Sequence, residues 1–433
     1  MNDRPVDSTI DVAQLRVGMF VHLDLGWMSH PFPLSSFKIT TDDQLATIQK
    51  LGLQTVRWSP HKSDLTPTDA PQALQTPLSP TAATPVVSPA SDKERARQAL
   101  LDALAVQRAT LAMCEKQYAE AAREYHRVIE TAAREPKQAN AQAQMLTRAL
   151  LDKMLVEGDM CIRLLNEGAS DRTTAHALNV SIISMLMGRA FGLNEQDMLD
   201  LGAGSLLHDL GKQELPARLR MRDDFFTAPE MKLYQQHVEK GIELATKMGV
   251  SPGVMLVIAQ HHENADGSGF PKKLLGDRMS AAARIVALVN RYDGLCNPAQ
   301  LGKALTPHEA LSLLFAQGRA RYDATMLNTF IRMMGVYPPG STVQLTDDRY
   351  AMVVSVNSTR PLKPSVMVHT PGVPRKEALV LSLEDQPDLG IRRSLRPAQL
   401  PTASMEYLAP RARVAYFFEP QGLREASPEE VCV

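Results

Sequence analysis

The sequence lacks an excess of either charge, with 47 lysines and arginines against 48 aspartates and glutamates in 433 residues. A chain so balanced has no global field to steer it to nucleic acid or to an anionic membrane, so DNA is not an expected partner and any anionic ligand must be met by local charge. Long apolar runs are also lacking. Those present, such as Val254 to Ala259, are far too short to span a bilayer, and no positive segment followed by an apolar one opens the chain. The expectation is a cytoplasmic protein with no membrane span. Cysteines are few, and Cys114, Cys161, Cys296 and Cys432 stand far apart, which excludes a disulfide frame or a zinc knuckle and leaves free thiols. What is present, 44% hydrophobic residues, is normal for a soluble globular protein long enough for two or three domains.

The chain predicts a multi-domain, mainly α protein in five segments. Residues 1–59 alternate apolar and polar positions around Val17, Met19 and Val21, followed by a short helix closed by Gly52 and a strand from Thr55 to Trp58. This is a small α+β N-terminal domain. Residues 60–91 hold seven prolines among Thr, Ser, Ala and Gln, a composition that cannot bury a core and makes a linker. Residues 92–164 form a helical connector, because no glycine or proline interrupts Asp92 to Glu135. Leu104, Leu111, Tyr118 and Tyr125 repeat there every seven residues, beside Leu100, Cys114, Ala121 and Val128, with Gln107 as a break. That row suits a coiled-coil homodimer or one face of a helical hairpin packed in its own chain. Residues 165–337 are all-helical, with capping-box patterns at Thr227-x-x-Glu230 and Thr306-Pro307-x-Glu309. Residues 338–433 turn to short β-runs at 342–345, 350–356 and 366–369, with Asp347-Asp348 as a hairpin turn, and make a small β-rich C-terminal module.

Five of the eleven histidines fall between positions 176 and 262. Helical periodicity puts each at the edge of an apolar stripe: His176 with Val180, Ile183, Met187 and Ala190, His237 with Leu233 and Leu244, His261 and His262 after Val254, Val257 and Ile258. A lone histidine on such a face is more often a core residue than a ligand. Five of them, with a His208-Asp209 pair inside an apolar helix, point the other way. Burying Asp209 beside Leu206 and Leu207 costs several kcal/mol without a counter-charge, and a divalent cation removes that cost.

These residues lie in motifs. His176-Ala-Leu-Asn179-Val180, His208-Asp209-Leu210-Gly211-Lys212, His237-x-x-x-Gly241 and His261-His262-Glu263-x-x-Asp266-Gly267-x-Gly269-Phe270-Pro271 follow one another over about 100 residues. In order and spacing they resemble the HD-GYP cyclic di-GMP phosphodiesterases, a branch of the HD phosphohydrolase superfamily, and the similarity runs on to about residue 335. The first 58 residues, with Gly18-Met19-Phe20-Val21 and Trp27-x-x-His30-Pro31-Phe32, look like the small domain often fused to that family. No chemical constellation stands out there: His22, His30 and His61 have no matched carboxylate or cysteine, and Trp27, His30 and Phe32 suit core packing equally.

The resemblance implies an all-helical phosphohydrolase domain with two divalent ions, iron or manganese most suited, bridged by Asp209. His176, His208 and Asp209 would hold the first, and Asp209, His237, His261 and His262 the second. Asp209 and Lys212 would be the catalytic pair. Lys212 lies one turn beyond His208, placed to reach a phosphate oxygen or simply to be solvated. Gly267, Gly269, Phe270 and Pro271 form the family's signature loop, with phenylalanine for tyrosine. That loop either orients the two preceding histidines or docks a signalling protein partner.

Beyond the signature loop, the chain departs from the family in three places. Asn290 stands where the family places a metal-binding aspartate; an amide oxygen still coordinates but brings no negative charge. Asp293 lies one turn on, in a place not usually a ligand. Ala299-Gln300-Leu301-Gly302 replaces a basic run that grips the dinucleotide phosphates, and only Lys303 keeps a charge nearby. Arg172 replaces the glutamate of members with a third metal, so a trinuclear centre is not expected. A cyclic di-GMP phosphodiesterase of reduced activity is one reading. A degenerate sensor or scaffold binding a nucleotide or a protein partner is another, and hydrolysis of a different cyclic dinucleotide is a third.

Overall fold

The structure, a computed structural model, describes residues 8–26, 29, 30, 32, 35–64, 92–155, 158–166, 171–222, 225–318 and 321–420. The chain divides into two compact units, Met1–Leu100 and Leu101–Val433.

In the first unit four antiparallel strands, β1 (Ser8–Asp11), β2 (Phe20–His22), β3 (Ser36–Lys38) and β4 (Thr55–Trp58), lie in the order β1-β4-β2-β3, with helix α1 (Asp42–Lys50) before β4. The period of two is visible in β4, where Val56 and Trp58 are buried while Thr55 and Arg57 face out. α1 starts where the Thr41 side chain accepts the amide of Gln44, and it buries Ile48 against Met19, Val21 and Ile39. His22 lies between the hydroxyls of Ser36 and Ser59, and His30 meets that of Ser35, so these two serve the domain's own packing. Phe32 is buried too, with its ring against Phe37. Trp27, Pro31 and the His61 side chain lie outside the described residues.

The expected start of the linker at residue 60 is corrected. Pro60–Lys62 makes a helical turn, Ser63 takes the amide of Phe20, and Asp64 pairs with Lys38 at 2.7 Å, so these residues close the small domain. Residues 65–91, the rest of the linker, lie outside the described residues.

Helix α2 (Asp92–Thr131), which from Leu101 on belongs to the second unit, turns into α3 (Pro136–Met154). Most of the seven-residue row is buried inside this chain, at Leu104, Cys114, Tyr118, Ala121, Tyr125 and Val128, while Leu100 is exposed. Val128 and Ala132 pack with Ala139 and Ala143 of α3 against Leu207, Leu244 and Ile258. Gln107, the break in the row, instead accepts the amide of Val380 and donates to its carbonyl.

The connector was expected to stay helical to 164. It does not: Met160–Leu164 is strand β5, buried at all five positions. After it come α4 (Arg172–Ala190), α5 (Glu195–Leu207), α6 (Ala228–Gln235), α7 (His237–Met248), α8 (Pro252–Gln260), α9 (Ala281–Cys296), α10 (Pro307–Gly318) and α11 (Ala324–Met334). Several helix starts have a chemical cause, among them Asp171 at α4, Asn194 at α5, Ser251 before Pro252 at α8 and Ser280 at α9. Thr227 and Glu230 form the expected capping box, and Thr306 and Glu309 exchange the same pair of bonds. α4 is buried nearly all round, between α5 and α9, and is the spine of the helical domain.

The C-terminal strands are β6 (Thr342–Leu345), β7 (Tyr350–Asn357), β8 (Ser365–Val368), β9 (Val380–Ser382) and β10 (Ile391–Leu395), then α12 (Thr402–Leu408) and β11 (Tyr416–Pro420), with Asp348 at the expected hairpin turn (φ 68°). They do not form a separate module. Their sheet, ordered β10-β6-β7-β5-β11 with β8 and β9 also joined through β7, takes in β5, which β7 and β11 flank. That placement explains why both faces of β5 are apolar and why its one charge, Arg163, is paired with Glu419 of β11 at 2.6 Å. Cys114, Cys161 and Cys296 are free and buried, while Cys432 lies outside the described residues.

Candidate metal centre and its cavity

His176 comes from the first turns of α4. His208 and Asp209 follow the last turn of α5, His237 opens α7, and His261 and His262 follow α8. Two close approaches bring these elements together. A side chain at Gly211 would put its Cβ 1.9 Å from the His237 carbonyl and 2.4 Å from the Gly241 amide, so only glycine lets the His-Asp segment lie on α7. At Gly269 a Cβ would fall 2.5 Å from backbone atoms of His262, Glu263 and Asn264, which requires glycine where the signature loop folds back. Glu263, fully buried, fixes that fold by accepting the amides of Lys272 and Leu274.

The result is two clusters sharing one carboxylate. Asp209 Oδ2 lies 3.4 Å from His176 Nε2 and 3.3 Å from His208 Nε2, and Asp209 Oδ1 lies 3.6 Å from His237 Nε2 and 3.7 Å from His261 Nε2. Within each set, His176–His208–Asp209 and Asp209–His237–His261–His262, ligand atoms converge within 4.8 Å of one another.

The imidazoles are oriented from behind. His208, His237 and His261 each donate Nδ1–H to the carbonyl three residues back (Ser205, Tyr234 and Ile258, at 2.6, 2.6 and 2.8 Å), and His176 Nδ1 meets Asp293 Oδ2 at 2.6 Å. Such bonds fix the tautomer and turn an Nε2 lone pair inward. Asp293 is itself held by the side-chain amides of Asn179 and Asn297. The ligands therefore stand in pairs of facing lone pairs, with the Nε2 atoms of His237 and His261 only 3.2 Å apart. Asp209 Oδ1 and His262 Nε2 are buried with no hydrogen-bond partner among the described residues. Converging lone pairs and orphaned acceptors are what a cation would satisfy, so the donor set fits a metal.

Burial drives the pKa of His208 down to about 4 and of His237 to about 3, and it puts His262 well below its ordinary value. Burial also disfavours charge on His176, but hydrogen bonds to Asp209 and Asp293 outweigh it and lift that pKa to about 9. For Asp209 burial is outweighed by the charges of Lys212 and His208, which hold the carboxyl well below its usual range. The Lys212 ammonium sits 2.5 Å from Asp209 Oδ2 and over the Tyr234 ring. Lys212 thus bonds the bridging carboxylate and is not simply solvated.

The cage opens into a cavity of about 770 Å³, of small-molecule size. His176, Asp209, Lys212, His261 and His262 face it, whereas His208 and His237 sit behind. Asn290, Gly269, Phe270 and Lys303 are on the wall, but Gly267 and Pro271 are not. Phe270 stacks on the His262 ring at 4.5 Å between centroids, so this loop steadies that imidazole. Lys303 lies over the Phe225 ring.

Wall residues that the motifs did not single out include Tyr125, Tyr234, Arg220, Arg222 and Arg321. Tyr125 stood in the seven-residue row of α2, whose period marks burial and says nothing of what lies opposite. The arginines share no motif, and only the long-range fold gathers them.

Residues 159–326 match the HD domain family, and residues 8–143 match a family described as a domain of unknown function, DUF3391. The second match extends past Tyr125, so part of it, on α2, walls the cavity. A cyclic di-GMP phosphodiesterase of Pseudomonas aeruginosa is 27% identical over 83% of this chain and 84% of its own length. The cyclic di-GMP phosphodiesterase response regulator RpfG of Xanthomonas campestris is 29% identical over 37% of this chain and 43% of its own. A 3'3'-cGAMP-specific phosphodiesterase of Vibrio cholerae is 28% identical over 38% of this chain and 32% of its own. The chain thus spans most of the first relative and less than half of the other two. Its motifs and matches agree: residues 159–326 carry an HD domain, with a DUF3391 match ahead of it, and the chain is similar to cyclic dinucleotide phosphodiesterases.

Proposed function

We propose that the chain is a metal-dependent phosphodiesterase that hydrolyses cyclic di-GMP to the linear dinucleotide or on to GMP, in the cytoplasm, as part of bacterial second-messenger control. The observation that carries this reading is the single carboxylate of Asp209, whose two oxygens face two separate imidazole clusters on the floor of a ligand-sized cavity. His176, His208 and Asp209 would hold the first of two divalent ions, with Asn290 offering an amide oxygen, and Asp209, His237, His261 and His262 the second. Mixed imidazole and carboxylate donors suit iron or manganese. Such ions, when bound, lower the pKa of water and neutralise phosphate charge.

The protein's own part is to hold the donors fixed. Asp293 and three backbone carbonyls set the imidazole tautomers, Phe270 covers His262, and Lys212 holds the bridging carboxylate. The Pseudomonas relative, matched over most of both chains, supports cyclic di-GMP as substrate.

The test is turnover by protein purified without oxygen and supplied with iron or manganese, with a His208→Ala, Asp209→Ala double variant as blank. Linear dinucleotide or GMP above the blank is expected. A second reading, a nucleotide-binding scaffold without turnover, is favoured by Asn290 and by the uncharged stretch Ala299–Gly302. Bound metal with no product above the blank would establish it in place of the enzyme. Including 3'3'-cGAMP in the assay addresses substrate choice: faster turnover of that compound would replace cyclic di-GMP.

A further inference from the structure

The cavity is cationic. Seven of its lining side chains are lysines or arginines and two are aspartates. Asp209 belongs to the cage, and Asp171 is occupied at the start of α4 by the amides of Thr173 and Thr174. Two of the cations are, among the described residues, without a carboxylate ion pair and are held by backbone carbonyls.

Arg172 stands four residues before His176 on α4, so both lie on one side of the helix and both face the cavity. Its Nη2 donates to the Asn297 carbonyl at 2.8 Å. Burial lowers its pKa, and the nearby charge of Arg413 acts the same way. Asp293 opposes them, but its oxygens already serve His176, Asn179 and Asn297. Arg220 is tethered twice, with Nε on the Leu215 carbonyl and Nη2 on that of Gln213, both at 3.1 Å, next to the segment that carries Lys212. Among the described residues neither guanidinium forms an ion pair with a carboxylate.

A guanidinium fixed by backbone carbonyls keeps its full charge and its remaining N–H donors, and it has already lost rotamer freedom, so an anion meets a preorganised fork. We infer that Arg172 and Arg220 form a two-point phosphate clamp for the dinucleotide, Arg172 on the His176 side of the cavity and Arg220 on the Lys212 side. The clamp supplies the phosphate recognition that the stretch Ala299–Gly302 has no charge to provide. This inference rests on the phosphodiesterase reading.

The test uses the full, manganese-loaded chain. Initial rates with cyclic di-GMP are measured for wild type, Arg172→Gln, Arg220→Gln and the two lysine variants at low and high salt, with metal content and unfolding midpoint on each sample. Equilibrium dialysis of labelled cyclic di-GMP runs in parallel. Each glutamine variant should raise KM and the dialysis Kd by about 10- to 100-fold, with a smaller effect on kcat. The lysine variants should recover part of the loss, and the glutamine variants should show a flatter dependence of KM on salt. Glutamine variants with KM and Kd within about twofold of wild type, in a wild type that turns over, would overturn the clamp and leave the phosphodiesterase standing. Loss of metal or of kcat at unchanged KM would also overturn it, because the arginines would then be supporting the cage. A wild type that neither binds nor hydrolyses cyclic di-GMP would remove the phosphodiesterase reading and the clamp together.

Discussion

The two halves of the cage share Asp209 and differ in what surrounds it. On the side proposed for the second ion, His237, His261 and His262 converge on Asp209, whose Oδ1 has no hydrogen-bond partner among the described residues, and burial holds His237 and His262 in the neutral form. On the first-ion side, Oδ2 already carries the Lys212 ammonium, Arg172 stands one turn from His176, and Asn290 brings no charge. There His176 lies between Asp209 and Asp293, and its pKa is raised to about 9. A set of ligands can thus be matched in geometry and unequal in charge. A second ion would meet neutral imidazoles and an oxygen that carries no ammonium, while a first would have to displace a proton from His176 and compete with Lys212 for its oxygen.

The largest effect should come from removing what the halves share. Asp209→Ala should empty both sides and lower turnover by on the order of a thousandfold or more, several kcal/mol of stabilisation at the phosphate. Metal analysis and product assays on one sample check this, and an Asp209→Ala protein that kept both ions would break the two-sided account. Next in size is Asp293→Asn, which weakens the orienting bond to His176 Nδ1. First-ion affinity should fall by about 10- to 100-fold with the second ion unchanged; equal losses on both sides would show that Asp293 supports the whole fold instead.

The comparison has a pH signature in the metal-free protein. His176, with a folded pKa of about 9 against an ordinary 6.5, contributes stability fully present below pH 6.5 and lost as pH rises through 9. His208 and His237, at about 4 and 3, behave oppositely: below pH 6.5 the unfolded chain takes up protons that the folded one refuses, so their contribution falls with pH. The unfolding midpoint should decline on both sides of about pH 6.5, and bound manganese should flatten the alkaline decline. A metal-free protein with no alkaline decline would contradict the assignment of His176 to a charged side. The smallest effect should be that of Phe270→Tyr, which keeps the ring over His262 and should change KM and kcat by about twofold or less.

The helical half of the fold was legible because its signals are local. The five histidines stand at the edges of stripes with a 3.6-residue period, and caps such as Thr227 and Glu230 announce themselves within four residues. The sheet was only half legible. β6 and β7 flank a turn and were visible, but β5 pairs with β11 about 250 residues away, and five buried residues in a row do not distinguish a strand from a helix. In the site, the cluster of five histidines and Asp209 was legible and the residues behind it were not. Asp293, Tyr125 and Arg220 owe their roles to neighbours supplied by other elements. Asn290 faces the cavity one turn before Asp293, yet the carboxylate works from behind His176 and does not replace the missing ligand.

The most direct test of the unequal cage is a calorimetric titration of manganese into metal-free protein at neutral pH, for wild type and for Asn290→Asp. Two separate steps are expected in the wild type, and Asn290→Asp should tighten only the weaker one, by about tenfold. A single step with two equivalent ions, or a weaker step unmoved by the added carboxylate, would contradict the account.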